Sequence, residues 1–201
     1  YTWNSSTGTG NFHLTTTPYL IATGNTSAQE FAILPNSSDG IRQQVLNIAT
    51  DGSGNILAGN PTNSYALYGT ATIQGKTADG QTYSQTFSGL LLSGTPTSFG
   101  SQDLKPLGIQ DSSIFDVGIK VTGGALAQAF GDTAYMRITP ELGSTFRGKF
   151  DENFSAQKAT SNTRTDNANN QPFPIPEPST ILLVLAGGFG LLYRRHRLAS
   201  R

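Results

Sequence analysis

Hydrophobic and polar residues alternate along much of residues 1–154, and this period of two constrains the fold more than any other feature. The clearest run is Ser113–Val121, in which Phe115, Val117 and Ile119 alternate with smaller or charged residues. A period of two gives a strand one buried face and one face in water. Ser144–Ser155 is interpreted in the same way, with three aromatic side chains on its buried face: Phe146, Phe150 and Phe154. The pattern predicts an all-β domain.

Turn residues between the alternating runs predict hairpins. Tyr65–Gly75 and Gln81–Leu92 flank an Asp-Gly turn, and Ile41–Ala58 folds back around Asp51–Asn55. Shorter runs bring the total to roughly eight to ten strands, which predicts a β-sandwich or jelly roll with prolines such as Pro96 between the strands. The shorter runs are Phe12–Ala22, Phe31–Leu34, Ala125–Phe130 and Ala134–Thr139. For Ala125–Phe130, a short helix near Gly124–Phe130 is the alternative.

The composition agrees with this fold and excludes several classes of site. Gly, Ser, Thr and Asn make up two residues in five, a bias that favours turns and strands over helix interiors. The chain has no cysteine, which excludes disulfides, thiolate zinc sites, iron–sulfur clusters and a cysteine nucleophile. Its 13 Lys and Arg residues balance 13 Asp and Glu residues. We therefore expect no nucleic-acid partner, and we expect no cofactor.

Residues 155–174 are predicted to form a polar linker. From Ser155 to Gln171 the sequence has no large apolar side chain that could offset the entropy of ordering. Fully extended, that stretch would reach roughly 55 Å. The predicted organisation is an exported β domain at residues 1–154, the linker, and a signal-bearing tail at 175–201. Because the chain opens with Tyr1, we also expect that a secretory signal has been removed from its N-terminus.

The tail combines a proline-containing motif, an apolar run and a basic end. The motif is Pro176, Glu177 and Pro178, and the run Ile181–Tyr193 has no charged residue. A helix over this run would be about 20 Å long, shorter than the roughly 30 Å hydrocarbon core, but flanking side chains and local thinning of the bilayer extend its span. Since no protein core adjoins the run, we predict one transmembrane helix.

The ends and one face of this helix give further expectations. The arginines that follow it, Arg194, Arg195 and Arg197, form a basic cytoplasmic stop. The β domain would then face the periplasm or the exterior. Ala186 and Gly190 share one helix face and would allow close packing of a partner helix in a membrane-protein complex.

The tail resembles the PEP-CTERM sorting signal. The resemblance is carried by Ile175–Leu183, which reads Ile-Pro-Glu-Pro-Ser-Thr-Ile-Leu-Leu, by Ala186–Leu192 and by Arg194–Arg197. It implies export by a Gram-negative bacterium and recognition of Pro176, Glu177 and Pro178 by exosortase, a membrane cysteine transpeptidase. It also implies a link to exopolysaccharide or biofilm matrix, as for many members of the family. The Gly- and Thr-rich β domain is similar to sandwiches found in such proteins.

Two segments of the β domain carry groups that could serve catalysis or metal binding. His13 would have to serve in any Ser-His-Asp triad, because the other histidine, His196, belongs to the basic stop. A surface position on a strand explains His13 more simply. Asp51–Asn55 has oxygen ligands at alternate positions, as a calcium loop begins, but lacks the later bidentate carboxylate. A hairpin turn explains it better, and we predict no metal site.

Carboxylates and aromatic rings are the remaining candidates. A glycosidase pair would come from Asp116, Glu141, Asp151 and Glu152, but none of them lies in a motif, and we predict no catalytic residue. Stacking on sugar rings is a further candidate role for aromatic residues, although strand spacing is more typical of a core. These aromatic residues are Trp3, Tyr19, Tyr65, Tyr68 and Tyr83.

The sequence therefore predicts a non-enzymatic envelope protein, with three hypotheses for its role. In the first, the helix is retained in the inner membrane and the periplasmic β domain is a structural or accessory subunit of a larger respiratory or photosynthetic complex. In the second, exosortase processes the tail and the protein joins a surface, exopolysaccharide or biofilm matrix. In the third, the β domain is a carbohydrate-binding module with a polysaccharide partner.

Overall fold

A computed structural model gives the fold of residues 1–23, 29–76, 81–103, 113–127, 131–140, 143–157 and 160–165. This part of the chain contains nine β-strands. They are β1 (Thr2–Asn4), β2 (Thr9–Thr23), β3 (Gln29–Leu34), β4 (Gln43–Asp51), β5 (Ser64–Lys76), β6 (Thr82–Asp103), β7 (Ser113–Gly123), β8 (Thr133–Ile138) and β9 (Thr160–Thr165).

The strands form a single sheet that closes on itself. From β2 the pairing passes through β3 and β4, then β5, β6, β7 and β8 to β9, which pairs with β2 again. β3 and β4 follow one another along the same edge of β2, since Leu20 pairs with Ala32 and Thr16 pairs with Gln44. The all-β prediction is confirmed. The pairings join all nine strands into one sheet, because long strands change partners along their length. The finer prediction, a β-sandwich or jelly roll, stays a prediction.

β6 shows how a strand joins two parts of the sheet. Its first half pairs with β5 up to Gly94, and its second half pairs with β7 from Ser93 onwards. The change of partner coincides with register shifts at Ser93–Gly94 and Pro96–Ser98. Pro96 was predicted to separate strands, but it lies inside β6. A bulge accommodates it, because the proline has no N–H to donate to a ladder.

The hairpin prediction is confirmed for β5 and β6 and only partly for the second pair. Lys76 pairs with Thr82, at the ends of two long antiparallel strands. In the second pair, Asp51–Asn55 is a turn, but the return arm is reduced to the isolated bridge between Thr50 and Ile56. The predicted strand at Ala125–Phe130 is wrong in its described part, where a turn is closed by an Ala127 N–H to Gly124 O bond of 3.1 Å and leads into Ala127, which has a helical backbone. The rest of the alternative short helix lies outside the described residues.

The segment 144–155 was predicted to be a strand, and this is wrong. It has no strand pairing, and Gly148 has a φ of 77°, which lies outside the extended region. Its three phenylalanines are nevertheless buried as predicted: Phe146 is 0% exposed, Phe150 6% and Phe154 7%. An irregular path that turns its aromatic side chains inward therefore covers the core in place of a strand.

The core changes in character along the strands. One end is filled by aromatic rings, namely Phe12, Phe99, Phe115, Phe146, Phe150 and Phe154 with Tyr1 at the edge. The other end is filled mainly by aliphatic side chains, including Ile21, Ile33, Ile73, Leu91 and Leu126. Between them the buried Gln44 side chain donates to Tyr65 Oη at 3.1 Å. We call these two ends of the core the aromatic end and the aliphatic end.

β9 lies within the segment predicted as a polar linker. It runs parallel to β2, with Thr17 opposite Thr160 and Thr23 opposite Thr165, and antiparallel to β8. Backbone pairing on both sides orders this polar stretch without a large apolar side chain. Thr165 pairs with Ala134, so the last described residue lies at the aliphatic end.

Candidate functional site

The residues predicted to form the sorting site lie outside the described residues. This applies to the motif residues Pro176, Glu177 and Pro178, to the helix residues Ala186 and Gly190, and to the basic residues Arg194, Arg195 and Arg197. The predicted transmembrane helix lies in the same tail. Within the described part of the chain, no helix has the length and apolar character needed to cross a membrane.

His13 is placed as a surface residue of β2. Its Nδ1 lies 2.7 Å from Asn47 Oδ1 and its Nε2 lies 3.2 Å from Thr15 Oγ1. Asn47 also donates to Ser64 Oγ at 3.1 Å, which extends the polar row from β2 across β4 to β5. Both ring nitrogens are therefore engaged with neighbours on the outer face, as expected of a histidine in a cross-strand network.

The Asp51 carboxylate holds a turn together. Its Oδ1 accepts hydrogen bonds from the backbone N–H of Ser53 at 2.8 Å and of Asn55 at 2.9 Å, and its Oδ2 accepts one from Asn55 Nδ2 at 2.9 Å. The Asn55 side chain, followed by backbone donors, holds the pKa of Asp51 below its ordinary value. The carboxylate oxygens are thus used within the turn, which agrees with the prediction of a hairpin turn.

The candidate glycosidase carboxylates lie in different surroundings where the structure describes them. Asp116 forms a two-point ion pair with Arg137 on the next strand, with Nε–Oδ1 at 2.7 Å and Nη2–Oδ2 at 2.9 Å, and this contact raises the pKa of Arg137. Asp151 and Glu152 are exposed on the irregular segment, and Glu141 lies outside the described residues. Among the described residues, no group of three or more His, Asp or Glu side chains is placed to hold a metal ion.

The candidate sugar-stacking aromatics fall into different environments. Tyr65 is only 2% exposed and belongs to the core, which rules out a stacking role for it. Arg42 covers one face of Tyr19 at 4.6 Å from the ring centre. A Cβ at Gly75 would come within 2.6 Å of Tyr83 Oη, so that ring lies across Gly75. Tyr68 is half-buried, and the half-buried Trp3 lies over Gly52.

Two residues that the sequence did not single out have distinctive positions. Tyr135 is 48% exposed in the middle of β8, opposite Gly118 on β7. Its place in an alternating run indicated the outer face, but nothing local distinguished it from other strand tyrosines. Tyr1 joins distant parts of the domain, because its phenol lies 2.8 Å from Thr50 Oγ1 and donates to Phe150 O at 2.9 Å. No sequence signal indicates contacts of such long range.

Comparison with known proteins identifies the tail. Residues 174–197 match the family model of the PEP-CTERM protein-sorting motif. No curated protein and no solved structure matches the chain. The motif implies export, processing by exosortase, and association with the cell surface or membrane after processing. Nothing in the comparisons supports a subunit of a respiratory or photosynthetic complex. The chain thus carries the sorting signal of a PEP-CTERM protein at its C-terminal end.

Proposed function

We propose that this chain is a non-catalytic structural protein of the bacterial surface, delivered there when exosortase cleaves its C-terminal signal. The observation that carries this proposal is the match of residues 174–197 to the sorting motif. Pro176, Glu177 and Pro178 are the residues read by the processing enzyme. The apolar run and the arginines after it hold the precursor in the inner membrane, with the β domain on the opposite side from the cytoplasm.

The polar groups of the β domain support a structural role rather than a catalytic one. His13, Asp51 and Asp116 are each engaged in hydrogen bonds or ion pairs that stabilise strands or turns. The outer face of β5 and β6 is lined by hydroxyl pairs, with Thr70 Oγ1 2.7 Å from Ser88 Oγ and Thr72 Oγ1 2.8 Å from Thr86 Oγ1. Such short hydroxyl side chains give a hydrated surface that suits a matrix component.

The intact mass of the protein isolated from its native cells tests this proposal. We expect a surface fraction that has lost the residues following the Pro176–Pro178 motif, and a full-length precursor when exosortase is deleted. A full-length chain that remains in the inner membrane of cells with active exosortase would contradict the proposal and favour the retained-helix hypothesis.

A further inference from the structure

β9 connects the sorting signal to the fold and determines where the signal leaves it. Thr165, the last residue of β9, pairs with Ala134 on one side and with Thr23 on the other. Both partners lie at or next to strand ends on the aliphatic side of the sheet. The tail therefore starts from that end, and no turn of the fold brings it back towards the aromatic end within the described residues.

The aromatic end lies at the far side of the domain. Thr9, at the start of β2, pairs with Asp51, whereas Thr23 at its end pairs with Thr165. The 14 residue steps between Thr9 and Thr23 correspond to about 46 Å at roughly 3.3 Å per residue. The Asp51 turn and the neighbouring Trp3 are thus separated from the origin of the tail by nearly the full length of β2.

A flexible tail of this length is, on average, too short to remove this separation. Eight residue steps join Thr165 to Phe173, which lies just before the match to the sorting motif. Even fully extended they span about 28 Å, and as a flexible coil they average roughly 16 Å. Had the tail begun at Ser155, as the predicted linker did, it would have started beside Tyr1 at the aromatic end, because Phe154 N–H donates to Tyr1 O at 3.3 Å.

We propose that β9 fixes the orientation of the domain on its sorting signal. The aliphatic end, with the β7–β8 connection around Asp132, faces the membrane or the point of attachment. The aromatic end faces away from it. That outward surface contains Trp3, whose backbone N–H donates to Asn153 Oδ1 at 2.7 Å, and the Asp51 turn beneath its ring. The biological meaning of this orientation rests on the proposed function, whereas the geometry itself does not.

Distances between paired spin labels test the orientation in the full-length chain. The chain has no cysteine, so each label can be placed on an introduced pair. Phe173→Cys marks the tail, and it is combined with Asp132→Cys at the aliphatic end or with Ser53→Cys in the Asp51 turn. Both domain sites are exposed. Ser5→Cys, in the exposed turn between β1 and β2, serves as a second and independent marker of the aromatic end.

We expect a short mean distance for the pair at 132 and 173, and a mean distance at least about 20 Å longer for the pairs at 53 and 173 and at 5 and 173, as the strand length together with the average reach of a flexible coil predicts. Equal distances, or the reverse order, would overturn the proposal. Since the measurement uses the uncleaved chain in detergent, it can fail while processing by exosortase succeeds. If the distances agree with the proposal but exosortase does not process the chain, only the proposed function is contradicted.

Discussion

The rings of Tyr1 and Phe154 stack 4.6 Å apart with their planes inclined by 10°. Their backbones are also joined, since Tyr1 N donates to Phe154 O at 2.8 Å and Phe154 N–H donates to Tyr1 O at 3.3 Å. This contact brings the first residue of the chain against the irregular segment that covers the aromatic end. The aromatic end is therefore held by contacts between residues about 150 positions apart.

Substitution of Phe150 tests whether the aromatic end is packed in this way. It is 6% exposed and packs edge-on against Tyr1 and Phe154, with ring centres 5.4 Å and 5.7 Å away. We expect Phe150→Ala to lower the free energy of unfolding by about 3 to 5 kcal/mol, because burial is lost and a cavity remains. Chemical denaturation measures this, with the exposed Tyr135→Ala as control. A change within about 0.5 kcal/mol would place Phe150 on the surface.

The Tyr1 hydroxyl is expected to stabilise the same end. Tyr1→Phe keeps the ring but removes the contacts to Thr50 and Phe150 O, so we expect a loss of about 1 to 2 kcal/mol. Burial is the largest cause that raises the pKa of the Tyr1 phenol above 10.0. Above pH 10 the unfolded chain then ionises first, and this weakens the folded state.

The pH dependence gives the check on that assignment. The stability difference between the native chain and Tyr1→Phe should shrink as the pH rises above about 10, because only the native chain carries this phenol. Unfolding curves at pH 8 and pH 10.5 measure it. A difference that stays constant would show that the phenol is solvated in the folded state.

The period of two predicted strands correctly where the strand's own side chains alternate between the core and the solvent. β7 and the β5–β6 hairpin were found in this way, because their alternating apolar residues fill the core. The same rule failed for residues 144–155. Phe146, Phe150 and Phe154 are four positions apart, a spacing that fits a strand but also fits any path that returns inward every fourth residue. Gly148, at a φ of 77°, departs from the extended conformation, so the segment follows an irregular path.

β9 could not be predicted from its own residues. Its sequence, Thr-Ser-Asn-Thr-Arg-Thr, has no apolar periodicity, and its order comes from pairing with β2 and β8, which are distant in the chain. The sorting motif is the opposite case. Recognition of a short linear motif depends on adjacent residues, so Pro176, Glu177 and Pro178 could be identified without knowledge of the fold.

A cross-strand disulfide tests the position of β9. Tyr135 and Arg164 are opposite each other in the β8–β9 pairing, where Cα atoms lie about 4.5 to 5.5 Å apart and permit a disulfide. We expect Tyr135→Cys with Arg164→Cys to oxidise fully within one chain, as measured by thiol labelling and intact mass. The matched control moves one cysteine two positions along β9, to Asn162→Cys, where the diagonal distance is too long. Equal oxidation of both pairs would contradict the register.

Asp51 is expected to be a stabilising residue of a turn. Because its folded pKa lies below the ordinary value of 3.8, the ionised carboxylate contributes stability above pH 4, and this contribution is lost as the pH falls through the folded pKa. The stability difference between the native chain and Asp51→Ala should therefore shrink below about pH 4 in unfolding experiments. Calcium on the order of millimolar should leave the midpoint of thermal unfolding unchanged. A rise that Asp51→Ala abolishes would instead identify a calcium site.

Two single substitutions in the tail distinguish processing from retention. Glu177→Ala removes the charged residue of the motif, whereas Gly190→Leu leaves the run Ile181–Tyr193 apolar but blocks close approach of a second helix beside Ala186. If the tail is a processing signal, Glu177→Ala should accumulate as the full-length chain and Gly190→Leu should be cleaved normally, because the enzyme reads the motif and requires of the helix only that it be apolar. Intact mass of each variant from native cells measures this, with a pull-down of the same samples. Normal cleavage of Glu177→Ala, together with loss of a co-purifying membrane protein in Gly190→Leu, would favour a helix that is kept to pack on a partner.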